Sequence, residues 1–277
     1  MFSTEIQYQV ITFSIGDTKA GTKMGKLQLK DLENDEILNC ILWEEALNRM
    51  DSKLFRSGNI LRIVSGSFNE KFNNCLVNAL ELIKEAKTGL DEKEREEVYK
   101  ELIEYIHKIK DEKLKNFVAD IYTENKEQLI VAPGAKLMHH NYIGGLIVHI
   151  LECLKYADVN MEVFFQRVNK DEVYAACLLH DIGKVFEYTV DLESGLIDYN
   201  EEFRKEWITH SQYGFSICMN AGFKRVARMI AAHHARADWG AIIDLNEKDL
   251  EPILYLIHHI DDLSAKFGKT NVAMLGG

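Results

Sequence analysis

The sequence predicts a two-domain chain, an all-β front followed by an all-α remainder, and three observations predict it. Its 277 residues exceed one typical domain of about 100–200 residues. Up to about residue 85 the apolar residues fall in short alternating runs separated by Gly, Asn and Asp. From Asp91 onward they recur with a period near 3.6.

The front contains five strand-like runs: YQVITFSIG, KMGKLQLKD, EILNCILWE, NILRIVSGSF and NNCLVNALELI. Turn-like segments lie at 17–25, Asn34-Asp35, Arg56-Ser57-Gly58 and 68–74, and only 44–53 has helix character. Five strands with a helix between the third and fourth is the order of an OB-fold barrel, the alternative being another small antiparallel β domain. This assigns residues 1–86 to the first domain and 87–277 to the second, with the boundary near Lys87-Thr88-Gly89. Val98, Leu102, Ile103, Tyr105, Ile106 and Ile109 then form one stripe of a charged helix. Further helices are predicted at 112–129, 140–157, 170–179, 210–221, 223–235 and 248–267. Pro133-Gly134 separates the second from the third, and VFEYTVDLESGLIDYN reads as a hairpin or irregular excursion.

Composition bounds the function. Hydrophobic residues at 47% and charged residues at 28% are ordinary globular values, and no run approaches the roughly 18 uncharged apolar residues of a membrane span. The opening MFSTEIQYQV lacks a secretory pattern, and five cysteines without a C-x-x-C pair suggest a reduced, cytoplasmic setting. A soluble protein with no membrane partner is expected. The net charge of -11 argues against duplex binding through a broad basic face, although a local basic channel is compatible with it. Residues 1–86 hold 10 basic and 12 acidic residues against 23 and 32 in the remainder, so the front is nearly neutral.

Nine of the ten histidines lie between His139 and His259. The sharpest motif is CLLHDIGK, where His180 and Asp181 end an apolar helix and can reach one centre together. Upstream stands His149, and downstream stand His210, His233, His234 and Asp261, each in a predicted helix or at its end. Such a mixed imidazole and carboxylate set suits Mn²⁺, Fe²⁺, Co²⁺, Ni²⁺ or Zn²⁺, and six or seven ligands suffice for two ions. An ionised Asp buried without a partner is expensive, which a metal at Asp181 would relieve. On one helix His233 and His234 would point about 100° apart, so one ligates while the other orients or faces solvent, with His233 favoured. His139 and His140 are expected to begin the helix of His149, either meeting phosphate or capping. Lys184 is either a phosphate contact or a solvated helix-end lysine. His258, His259 and Asp262 read as neighbours of the site, and His107 as unrelated to it.

The ordered series of H, HD, further histidines and a final D, over about residues 137–268, resembles the HD phosphohydrolase superfamily. The resemblance implies that Asp181 bridges two metals, with His149, His180, His210, His233, His234 and Asp261 completing the shell. Together with MHHNYIGGLIVHILECL and the front KMGKLQLKDLENDEILNCILWE, the chain is similar to the YhaM-type 3′-to-5′ exoribonucleases. That likeness implies hydrolysis of single-stranded RNA, with single-stranded DNA as a further substrate, to nucleoside 5′-monophosphates.

Two divalent ions, Mn²⁺ for preference, with Co²⁺, Fe²⁺, Ni²⁺, Mg²⁺ or Zn²⁺ as alternatives, would activate water and offset charge at phosphorus, so no side-chain nucleophile is needed. In the front domain Lys19, Lys23, Lys26 and Lys30 offer modest basic charge, and Phe13, Trp43, Phe68 and Phe72 offer stacking faces for a single strand. The competing reading is that Trp43 and Phe13 are core and that the lysines are a solvated face beside Asp17 and Asp31. Two other functions compete: an HD phosphohydrolase of nucleotides or a cyclic or dinucleotide messenger, and a non-catalytic RNA-binding adaptor. Dependence on strand length separates the first and metal-dependent turnover the second. A homo-oligomer is compatible with all three.

Overall fold

A computed structural model describes residues 5–86, 88–136, 139–164, 167–192, 195–206 and 208–267. They fall into two compact units that divide between Thr88 and Gly89. Lys87, in the expected boundary, lies outside the described residues.

The first unit is a closed barrel. Its strands are β1 (Gln7–Asp17), β2 (Lys23–Asp31), β3 (Ile37–Trp43), β4 (Ile60–Asn69) and β5 (Asn74–Lys84), in the order β1-β2-β3-β5-β4. β1 closes on β4, and all pairings are antiparallel except β3 with β5. The period of two decides which side chains enter: Leu27 and Leu29 of β2, Cys40 and Leu42 of β3, and Leu61 and Ile63 of β4 are buried. Each fully buried Leu or Ile contributes about 1.5–3 kcal/mol. The segment predicted helical at 44–53 is a short helix α1 (Glu44–Arg49) followed by a 3₁₀ turn (Ser52–Phe55). Buried Asn59 ties that turn down, donating to the carbonyls of Lys53 and Leu54 and accepting from the amide of Ala86.

The second unit is helical. α2 (Glu92–Lys108) starts with a capping box between Asp91 and Glu94. The segment expected as one helix over 112–129 is two, α3 (Glu112–Glu124) and α4 (Lys126–Leu129), broken at Asn125. α5 (Gly145–Phe164) and α6 (Lys170–Leu179) follow. α6 is buried on every side from Val173 to Leu179, and it touches α2, α3, α5, α10 (Lys224–Ala232) and α11 (Pro252–Phe267). It is therefore the central helix, and its end is held from several directions. Between α6 and α10 lie α7 (Lys184–Glu187), the two-stranded β6 (Tyr188–Val190) and β7 (Ile197–Tyr199), α8 (Glu201–Lys205) and α9 (His210–Asn220). The hairpin reading of 185–200 is thus present as β6 paired with β7.

α5 begins five residues later than expected. His140 at φ 53° and Gly144 at φ 83° are left-handed and cannot continue a helix, so His139 and His140 lie in a loop rather than in its first turn. Among the described residues no helix is long and apolar enough to cross a membrane.

Candidate metal centre

Helix ends set the histidines. The last carbonyls of an α-helix lack intrahelical partners. His180, capping α6, and His233, capping α10, both use this: Nδ1–H of His180 donates to the Cys177 carbonyl at 2.8 Å, and Nδ1–H of His233 to that of Ile230 at 2.6 Å. Each bond fixes the tautomer and leaves Nε2 bare toward the interior. His149 on α5 has Nδ1 2.8 Å from Ser264 Oγ, and His210 at the start of α9 has Nδ1 2.5 Å from Glu187 Oε2. His258 donates from Nδ1 to the His233 carbonyl at 2.7 Å, holding the turn between the paired histidines.

These nitrogens converge on Asp181, one side to each of its oxygens. Oδ2 stands 3.3 Å from His149 Nε2 and 3.5 Å from His180 Nε2. Oδ1 stands 3.4 Å from His210 Nε2 and 3.8 Å from His233 Nε2. Asp261 Oδ1 joins the first side, 3.1 Å from His149 Nε2 and 3.8 Å from His180 Nε2. His234 joins the second, its Nε2 3.1 Å from that of His210. His233 and His234 thus both enter the cluster: α10 ends at Ala232, so the 100° separation of neighbours on a helix does not apply to them.

The electrostatics favour a cation. Burial holds His180 and His233 below the usual imidazole range and lowers His234 to about 4, so all three are neutral donors. Burial would raise Asp181, but Lys184 and the histidines around it hold it well below the carboxylate range. Asp261 is likewise held down by His149, His180 and His233 against the effect of burial. His149 is the exception: burial opposes its charge, yet hydrogen bonding to the carboxylates of Asp181 and Asp261 raises it well above the usual value. The Nε2 atoms of His149 and His180 are 3.1 Å apart. Asp181 Oδ1, His233 Nε2 and His234 Nδ1 are buried without hydrogen-bond partners. Orphaned polar atoms of this kind are costly. A mixed nitrogen and oxygen set with one ionised carboxylate at its middle fits a divalent cation. Cys153 Sγ lies 3.8 Å from His149 Nε2, but burial pushes its thiol up, which disfavours a thiolate ligand.

Lys184 is neither solvated nor free. It is buried, and Nζ donates to Asp181 Oδ2 and to the Gly134 carbonyl, both at 2.6 Å. His139 and His140 do not cap α5; each ring centroid lies 5.4 Å from that of His149. His259 is exposed, and Asp262 pairs with Lys266 at 3.7 Å. Glu187 and Ser264, which orient His210 and His149, were missed from the sequence. Ser264 had a signal, standing three residues after Asp261 on one helix face, whereas Glu187 is recognisable only from the fold.

In the barrel Phe13 stacks on Phe55 with centroids 4.0 Å apart and packs against the core, as its competing reading held. Phe68 is half-buried, whereas Trp43 is 49% and Phe72 65% exposed. Lys23 pairs with Asp17 at 2.7 Å and Lys30 with Asp35 at 2.8 Å, while Lys19 and Lys26 are exposed. The barrel thus separates core from surface among the residues considered together above.

The fold is an OB-like barrel followed by a helical unit that carries the cluster, and residues 146–266 match the family model of the HD domain. Two relatives carry the name 3′-5′ exoribonuclease YhaM. The protein from Oceanobacillus iheyensis is 24% identical over 229 residues, 79% of this chain and 67% of the relative. That from a Geobacillus species is 25% identical over 187 residues, 65% of this chain and 55% of the relative. This chain thus spans about two thirds of one and just over half of the other. No solved structure matches the chain.

Proposed function

We propose that this protein is a metal-dependent 3′-5′ exoribonuclease that degrades single-stranded RNA, and single-stranded DNA as a second substrate, to nucleoside 5′-monophosphates. The observation that carries the reading is the pair of nitrogen sets facing the two oxygens of Asp181. His149, His180 and Asp261 would hold one ion, His210, His233 and His234 a second, and Asp181 both. Mn²⁺ is the preferred ion. Bound divalent ions would activate water at neutral pH and offset charge on the scissile phosphate. The chain's own part is to present His180, His233 and His234 as neutral imidazoles, keep Asp181 and Asp261 ionised, and use Lys184 to orient Asp181. The names of the two relatives support RNA as substrate and a 3′ start.

The experiment is digestion of 5′-labelled single-stranded RNA and DNA by metal-free protein given Mn²⁺, Mg²⁺, Co²⁺ or Zn²⁺ in turn. Progressive shortening with release of nucleoside 5′-monophosphates is expected. Immediate internal fragments from a circular RNA would defeat the exonuclease reading and leave a metal hydrolase.

The barrel would hold the strand. Alternation puts Lys26 and Lys30 on the outer face of β2, where Lys26 pairs with Ile41 and Met24 with Trp43 across β3. Lys19 and Phe72 lie in the β1–β2 and β4–β5 connections, which border the same face in OB barrels. Trp43→Ala should cost about 1–3 kcal/mol of binding to a single-stranded RNA, read by fluorescence anisotropy. Unchanged affinity for that variant and for Lys26→Ala would remove this face from the interface.

A further inference from the structure

Next to the cluster the helical unit holds a polar chain that no step above uses. Glu152 stands three residues after His149 on α5, and Ser264 three after Asp261 on α11, so each shares a helix face with a cluster residue. Ser264 is fully buried, its Oγ donates to Glu152 Oε2 at 2.7 Å, and it lies 2.8 Å from His149 Nδ1. From the other side His140 Nε2 comes within 3.2 Å of the same Glu152 oxygen, without hydrogen-bond geometry. His140 is fully buried, in the left-handed backbone that costs any residue with a side chain. Its carbonyl is packed so closely that a Cβ on Gly145 would come within 2.0 Å of it. The loop therefore gives His140 little room, and Glu152 is what it is placed against.

Resting on the reading of the cluster as a metal centre, we infer that Glu152 is a positioning residue: one carboxylate oxygen fixes His149 through Ser264. The argument is one of donors and acceptors. An ionised carboxylate only accepts. Ser264 must then donate to it and use an oxygen lone pair for Nδ1–H of His149. That arrangement turns His149 Nε2 toward Asp181 and Asp261 with its lone pair available to a cation. Without Glu152 the Ser264 hydroxyl is free to rotate and donate to Nδ1, which moves the imidazole proton to Nε2, the atom a cation needs.

Metal-free full-length protein, wild type and variants, should be titrated with Co²⁺ and followed by calorimetry and visible absorption, with far-ultraviolet circular dichroism as the check on folding. Glu152→Ala is expected to bind Co²⁺ about 10–100-fold more weakly, the usual cost of removing an outer partner of a ligating histidine. Glu152→Gln should regain most of that loss, because its amide oxygen can take the place of Oε2 and accept from Ser264. Ser264→Ala should lose affinity as well. A folded Glu152→Ala with wild-type affinity and absorption bands would overturn the inference. So would a Gln variant as weak as Ala, which would mean that charge alone matters. If Glu152→Ala does not fold, unchanged affinity in Ser264→Ala overturns it. Absence of Co²⁺ binding by the wild type would instead overturn the metal-centre reading, and this inference with it.

Discussion

Asp181→Asn should abolish hydrolysis, lowering turnover by at least about 10²–10³-fold, the range seen when one preorganised electrostatic group is removed. The substitution keeps shape but removes the carboxylate charge whose two oxygens face the two nitrogen sets. It also changes the fold energetics, because Lys184 is buried and donates to Asp181 Oδ2. Breaking a buried pair by removing one partner costs about 3–5 kcal/mol. The amide oxygen can still accept from Lys184, so the loss should be smaller, about 1–3 kcal/mol. Elemental analysis and thermal melts measure both effects. A variant that keeps most wild-type turnover and metal content would show that Asp181 is not shared between two sites. Chelation of the wild type should reproduce the loss of activity without the loss of the lysine's partner.

Gly183→Ala should disable the His210 side without touching a ligand. Gly183 has ordinary right-handed angles, φ -63° and ψ -16°, so alanine meets no backbone penalty there. Its Cβ, however, would lie 2.5 Å from His210 Cα and 2.7 Å from the His210 carbonyl oxygen. Backbone cannot swing aside as a side chain can, so α9 must move away from the turn after Asp181. Overpacking of this kind costs about 1–3 kcal/mol. The shift also draws His210 from Asp181 Oδ1, 3.4 Å away, and from His234. The expected result is a lower melting temperature together with reduced metal content. Gly16→Ala is the control, since a Cβ there meets nothing within 4 Å. Equal behaviour of the two variants would disprove the close-approach argument.

The parts of the molecule legible in its sequence are those with a short-range signature. KMGKLQLKD coincides with β2 because strict alternation leaves one register that hides Leu27 and Leu29. The series from His149 to Asp261 was legible because the helices carrying it are long and periodic, so each residue could be placed at a helix end or on an inner face. Where several elements meet, that reasoning stops. The start of α5 was misplaced because HHNYIGG contains two glycines but no sign that His140 itself turns left-handed. Lys184 could not be assigned, since a lysine at a helix end is normally solvated, and its burial depends on the Gly134 carbonyl fifty residues away. Glu152, Ser264 and Glu187 are ordinary polar residues until the fold sets them against particular imidazole nitrogens.

Because Asp181 faces both nitrogen sets, two ions held as proposed would not load independently. A cation settling against Oδ2 withdraws negative charge from Oδ1, and linkage requires the same penalty when the order is reversed. The two sides should therefore load at separated ion concentrations, although their donors are chemically similar. Between those concentrations most molecules would be folded, half loaded and idle. A single shared carboxylate would thus spread loading over a wider range of ion supply, with activity following the weaker side alone.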